Sequence, residues 1–204
     1  MIALARESIT CQACFNSDRL VRAEIELPQP FSVGGKYREG GTVVISINPG
    51  ASPDGGYKEA RAKALRRFSD GNEGALVEYW NSLAEDASEF WNPKYLARIN
   101  KLGLELHNVA VGNIALCATK GNKYPNWMLK RCWSMHSAGM LRSLRPGVVI
   151  LMAGEGVMSP IERSINEEHP GCQVFRMAHF AHREGNEYEA NECARVREGS
   201  LVVS

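Results

Sequence analysis

The chain has 204 residues, of which 44% are hydrophobic and 23% charged, and its net charge is +1. This is the make-up of one ordinary globular domain with enough apolar material for a core, and it excludes a disordered polyelectrolyte or a strongly basic nucleic-acid coat. No stretch reaches the roughly 18 apolar residues of a membrane span, and the opening MIALARESITC lacks a signal peptide's apolar run, so a cytoplasmic protein is expected, with a monomer as the default.

Residues 1–41 hold a short cysteine-containing start followed by the loop-like PQP and GGKYREGG. Residues 42–47 (TVVISI) are a β-branched run that predicts a buried strand, ended by Asn48-Pro49-Gly50 and the turn-rich ASPDGG. A helix basic on one face is expected over about 57–68, carrying Lys58, Arg61, Lys63, Arg66 and Arg67. Further helices are expected over 73–102, with Pro93 breaking or starting one. Residues 107–116 (HNVAVGNIAL) form a second apolar run. Pro125 then starts a helix to about 144, with apolar residues at helical spacing. Residues 147–152 (GVVILM) and 173–177 (QVFRM) predict two more strands, with a helix opening at Ala153-Gly154; the tail from Glu184 is polar.

Apolar strands alternating with helices predict one three-layer α/β/α domain over 1–204, with a central, mainly parallel four-stranded sheet. In such sheets the site lies beyond the carboxyl ends of the strands. That rule directs attention to Asn48 onward, residues 113–117, Gly154 onward and His179 onward.

Those strand ends carry recognisable motifs. INPG (residues 47–50) resembles the first motif of uracil-DNA glycosylases, nearest the mismatch-specific uracil/thymine branch. NIALC (113–117) followed by KGNKYP resembles the iron–sulfur branch, family 4, in which an Asn stands four residues before a cluster cysteine. LRPGVVILMAG looks like that family's Leu-X-Pro turn and third strand, and MAHFAH (177–182) occupies the place of its His-Pro-Ser motif. The resemblance covers about 42–56, 107–154 and 173–183, with the cysteine pair at 11–14. It departs from family 4 at Ile47, where that branch has Glu, and at Phe180-Ala181, where Pro-Ser is usual.

The resemblance implies a monofunctional glycosylase of base excision repair, acting on uracil or a related deaminated base in DNA. The residue types suit that chemistry on their own terms. The target base must be flipped out of the stack and read along its edge. Asn113 offers a donor and an acceptor that match uracil's N3–H and O4. Asn48 can orient a water, although it is no base. A neutral His179, with His182 second, can donate a hydrogen bond to O2, where charge develops as the bond breaks. Tyr57 is the candidate stacking floor, with Phe68 weaker, and the Pro49-Gly50 loop can meet phosphate. Phe180 and Arg183 are candidates for the wedge that fills the emptied stack.

Cys11-Gln-Ala-Cys14 is one CxxC pair, and Cys117 and Cys132 form a second pair. Thiolates in this number suit an iron–sulfur cluster or zinc. The resemblance implies a structural 4Fe–4S cluster on Cys11, Cys14, Cys117 and Cys132, with zinc as the alternative. Residues 1–41 then act as a cluster-binding segment pinned to the loop after Asn113, and about 70–100 is a helical insertion. Cys172 and Cys193 fall outside the pattern.

Two readings from other classes stand beside the glycosylase. One is an iron–sulfur nucleic-acid-binding protein on the same fold with weak or no catalysis, favoured by Ile47 and by Phe180-Ala181. The other is a nucleotide-binding α/β enzyme, for which Gly154-Glu155-Gly156 is the only hint.

Overall fold

Five strands form the sheet: β1 (Ser32–Val33), β2 (Thr42–Ser46), β3 (Ala110–Asn113), β4 (Val148–Met152) and β5 (Gln173–Met177). The computed structural model describes residues 1–15, 20–22, 27–49, 55–85, 93–179 and 186–201; the side chains at 55–58, 82–85, 93–96, 186–188, 200 and 201 lie outside that description. The spatial order is β1-β3-β2-β4-β5. All pairings are parallel except β1 with β3. The four expected strands are present, and β1 is a fifth at the edge. Two residues beside Pro30 give no readable alternation, and β1 exists only because Ser32 and Val33 pair with Val111 and Ala110.

The central strands are β-branched or aliphatic because helices cover both faces. Val43, Ile45, Ala110, Val149 and Leu151 pack against α1 (Ile2–Ile9), α2 (Gly55–Ser69), α3 (Gly74–Glu85) and three later helices. Val44, Val111, Ile150, Met152 and Met177 form the other core. It is closed by α4 (Pro93–Lys101), through Ile99, and by the C-terminal helix, through Cys193 and Val196. This is the three-layer α/β/α arrangement.

The helix expected after Pro125 is broken in character. α5 (Asn126–Cys132) and α6 (Ala138–Leu144) are joined by a π-helical turn over Trp133–Ser137. Such turns insert one residue and re-aim the side chains around them. α7 (Glu155–Glu168) comes after β4, and α8 (Asn186–Leu201) ends the fold. Pro93 starts α4, as its fixed φ favours. The N-terminal α1 and the polar-tail helix α8 are not evident from the sequence, because each is amphipathic only by virtue of what it packs on.

Gly112 in β3 lies against the ring of Phe31, which is fully buried. A methyl group there would overlap that ring. Gly112→Ala should therefore cost about 1–3 kcal/mol through overpacking. Thermal unfolding checks this, and an unchanged midpoint would contradict it.

Candidate functional site

The strand register sets the geometry of the carboxyl edge. Ser46 is in register with Asn113 on one side and Met152 on the other, and Met152 is in register with Met177. Side chains alternate along a strand. Because Val44, Val111, Ile150 and Phe175 belong to the core under α4 and α8, the terminal row Asn113, Ser46, Met152 and Met177 projects to that same face. The β2–β3 ladder continues past the strands, through Ile114 N–H to the Ser46 carbonyl (2.8 Å) and Ala115 N–H to the Ile47 carbonyl (2.9 Å).

Asn48 and His179 each stand two residues past this row, on β2 and β5, separated by β4. Two strand spacings put their backbones roughly 10 Å apart, a gap a flat nucleobase with its hydrogen bonds can span. Asn48, Pro49, Asn113 and His179 are all half-buried. The fold thus brings Asn48, Asn113 and His179 to one rim. Gly50, His182, Phe180, Arg183 and the side chain of Tyr57 lie outside the described residues. Phe68 is a correction: it is fully buried in the core, with the Arg6 guanidinium 5.2 Å from its ring centroid, so it has no free face for a base.

The backbone of Asn113 is held from below. The Ser137 hydroxyl, carried by the π-helical turn, lies 2.9 Å from the Asn113 carbonyl and 3.0 Å from that of Ile114. Beside Asn113, the Ser46 hydroxyl is buried and has no hydrogen-bond partner among the described residues. Ser46 precedes the INPG motif directly and is a candidate site residue the motif alone does not reveal.

His179 rests on a charged clamp that no motif announces. Arg98, on α4 and only 4% exposed, donates to the Ala178 carbonyl. Its other nitrogen pairs with Glu189 at 3.3 Å, and Lys101 pairs with the same carboxylate at 3.1 Å. Glu192 accepts the Ala178 N–H at 3.1 Å, and Arg195 donates to the Arg176 carbonyl at 2.7 Å. The turn bearing His179 is therefore fixed at both its N–H and its C=O by α4 and α8. Burial lowers the pKa of His179 below its ordinary value, and the Arg98 cation lowers it further. The imidazole is neutral at pH 7. Burial works to raise the pKa of Glu189, but the hydrogen bonds and charges of Arg98 and Lys101 outweigh it and hold the carboxylate ionised.

Cys11 and Cys14 follow α1, Cys117 follows β3, and Cys132 ends α5. All are free thiols. Cys117 lies within electrostatic reach of Cys132, Cys11 and Cys14, and Cys132 within reach of Cys14 and Cys11. Burial pushes the thiols of Cys117 and Cys132 up to about 12. The Leu116 N–H donates to the Cys132 sulfur at 3.2 Å. Among the described residues, no group of three or more His, Cys, Asp or Glu side chains is drawn into metal-binding geometry. The donor set itself fits a thiophilic centre: four sulfurs, a backbone N–H aimed at one of them, and the cations Arg22 and Arg131 acting on Cys14. The N-terminal segment is tied to the same loop without any metal. Arg22 and Thr119 form an antiparallel bridge, Lys120 N–H donates to the Val21 carbonyl (2.9 Å), and Arg22 donates to the Cys11 carbonyl (2.6 Å). Cys172 and Cys193 stand apart, on β5's approach and on α8.

Comparison of the sequence with protein-family models and with curated proteins gives no match.

Proposed function

We propose that this chain is a DNA glycosylase of the uracil-DNA glycosylase superfamily, with the four thiols holding a structural 4Fe–4S cluster. The observation that carries the reading is the shared rim: two asparagines and a neutral histidine at the carboxyl edge of one parallel sheet, on rigid backbone. That is the position in which open α/β sheets bind ligands.

In this reading a flipped pyrimidine enters between β2, β3 and β5. The Asn113 amide pairs with the base edge, its carbonyl accepting N3–H and its NH2 donating to O4. As the N1–C1′ bond breaks, its electron pair moves into the base, and charge accumulates on O2. A neutral His179 donates a hydrogen bond there, and a fixed, low-dielectric donor stabilises that charge more than water does. Asn48, helped by the unpartnered Ser46 hydroxyl, orients a water whose oxygen bonds to C1′; the water's proton leaves to solvent or to the departing base. The products are the free base and an abasic site. A cluster on Cys11, Cys14, Cys117 and Cys132 supplies rigidity, joining the N-terminal segment to the loop after Asn113.

Asn113→Ala removes both hydrogen bonds to the base edge. Base release from a uracil-containing oligonucleotide should fall at least 100-fold, in line with the loss of a paired polar contact in a buried site. Unchanged release in that variant would refute the role given to Asn113.

A second reading is favoured by one observation. Ile47, where family 4 carries a carboxylate, is apolar and packs against the core, so that position supplies no general base. A protein that binds uracil or abasic DNA and releases no base fits that arrangement.

A further inference from the structure

Charge is distributed unevenly along this nearly neutral chain. Residues 106–154 contain no Asp or Glu, yet carry Lys120, Lys123, Lys130, Arg131, Arg142 and Arg145. Two of these are neutralised: Arg142 pairs with Glu168 at 2.6 Å and Arg145 with Glu39 at 3.1 Å. The other four are exposed and cluster at the loop after β3 and on α5. None of them forms an ion pair with a described residue. Trp127, in the first turn of α5, is 46% exposed, and Val21, whose carbonyl accepts the Lys120 N–H, is 58% exposed. Trp127, Lys130 and Arg131 share one helical face at i, i+3 and i+4.

The loop is built stiff. The Thr119 hydroxyl donates to the Lys123 carbonyl (2.9 Å), and the Thr119 N–H donates to the Tyr124 hydroxyl (3.1 Å). Gly121 and Asn122 close the turn at φ 74° and 52°. Cations in the absence of acids, interleaved with an exposed indole on a pre-ordered frame, make an arrangement that neutralises phosphates while a base stacks. A partner acidic protein has no use for the indole's open face at this spacing. A regular duplex presents no unstacked base to it.

We propose that the loop over residues 119–125 and the exposed face of α5 bind single-stranded nucleic acid, with Trp127 stacking on an unpaired base and Lys120, Lys123, Lys130 and Arg131 meeting the backbone. The surface starts six residues past Asn113 in the chain. The assignment deepens the glycosylase reading but does not require base release.

The test uses the full chain, purified anaerobically, and a labelled oligothymidine that contains no uracil, read by fluorescence polarisation across a salt series. Trp127→Ala should weaken binding about tenfold, whereas Trp127→Phe keeps most of the affinity. Joint replacement of Lys120, Lys123 and Lys130 by Gln should lower the salt slope by about 2. All of these positions are at the surface, and matching thermal midpoints confirm that the variants fold. Wild-type affinity in both Trp127→Ala and the triple variant overturns the assignment. So does tighter binding to duplex than to single strand, or equal competition by polyglutamate. Binding that agrees with these predictions in a protein that releases no base leaves this surface standing and removes the glycosylase.

Discussion

Cys132→Ser should yield a protein without the proposed cluster and with a loosened N-terminus. Cys132 is buried, its sulfur accepts the Leu116 N–H, and the thiols of Cys14 and Cys11 act on it electrostatically. Serine, a hard and weakly acidic alcohol, is a far poorer ligand than thiolate for iron–sulfur clusters or zinc. Structural metal centres in small domains contribute on the order of 10 kcal/mol, so the expected loss is large. The wild type, prepared anaerobically, should be brown and contain about four irons per chain. The variant should be colourless, iron-poor and readily proteolysed within residues 1–41. Cys172→Ser, outside the group, should remain brown. A colourless wild type with one zinc would assign the alternative metal, and a wild type with neither iron nor zinc would overturn the centre.

Arg98→Met should unfasten the His179 turn. It removes a buried cation from Glu189 and the donor from the Ala178 carbonyl. Breaking a buried ion pair from one side costs about 3–5 kcal/mol when it strands the partner charge; because Lys101 still pairs with Glu189, the expected loss is about 1–3 kcal/mol, that of the unpaired Ala178 carbonyl. The titration of His179 reports the local effect. Burial and Arg98 together hold its folded pKa below 6.5. The unfolded chain therefore binds more protons just below that value, and wild-type stability falls as pH drops from about 6.5 toward the folded pKa. His136 and His169, also depressed by burial, act with the same sign. Without Arg98, the His179 pKa should rise while staying under its ordinary value, since burial is the larger cause. The acid limb of the activity profile should move to higher pH with it. NMR titration of the histidines reads this directly. A His179 pKa unmoved by the substitution would deny Arg98 its part.

The central strands were legible because their residues leave no other choice. VVILM and all of TVVIS but its first residue are buried, as strands covered on both faces require. The candidate rim was legible for a related reason: Asn48, Asn113 and His179 come at or just past the ends of such runs, and the end of a buried strand fixes the position of the next residues in the chain. Elements that depend on distant partners were hidden. β1 has two residues and no pattern of its own. α8 reads as a polar tail until Cys193 and Val196 are seen under the sheet. The clamp beneath His179 joins Arg98 to Glu189 across a long stretch of chain, and neither residue lies in a motif. Ser46 looked like the last residue of a strand, and only its hydroxyl, unpartnered among the described residues, makes it a candidate for the site. Phe68 illustrates the opposite error, an aromatic at a plausible distance in sequence that the core absorbs entirely.

The most direct measurement takes a single-stranded oligonucleotide with one uracil, incubates it with anaerobically purified protein, and treats it with alkali. Base release predicts one strand break, at the uracil, that is absent without protein. An intact strand, on both this substrate and a G·U duplex, would contradict the assignment as a uracil-DNA glycosylase.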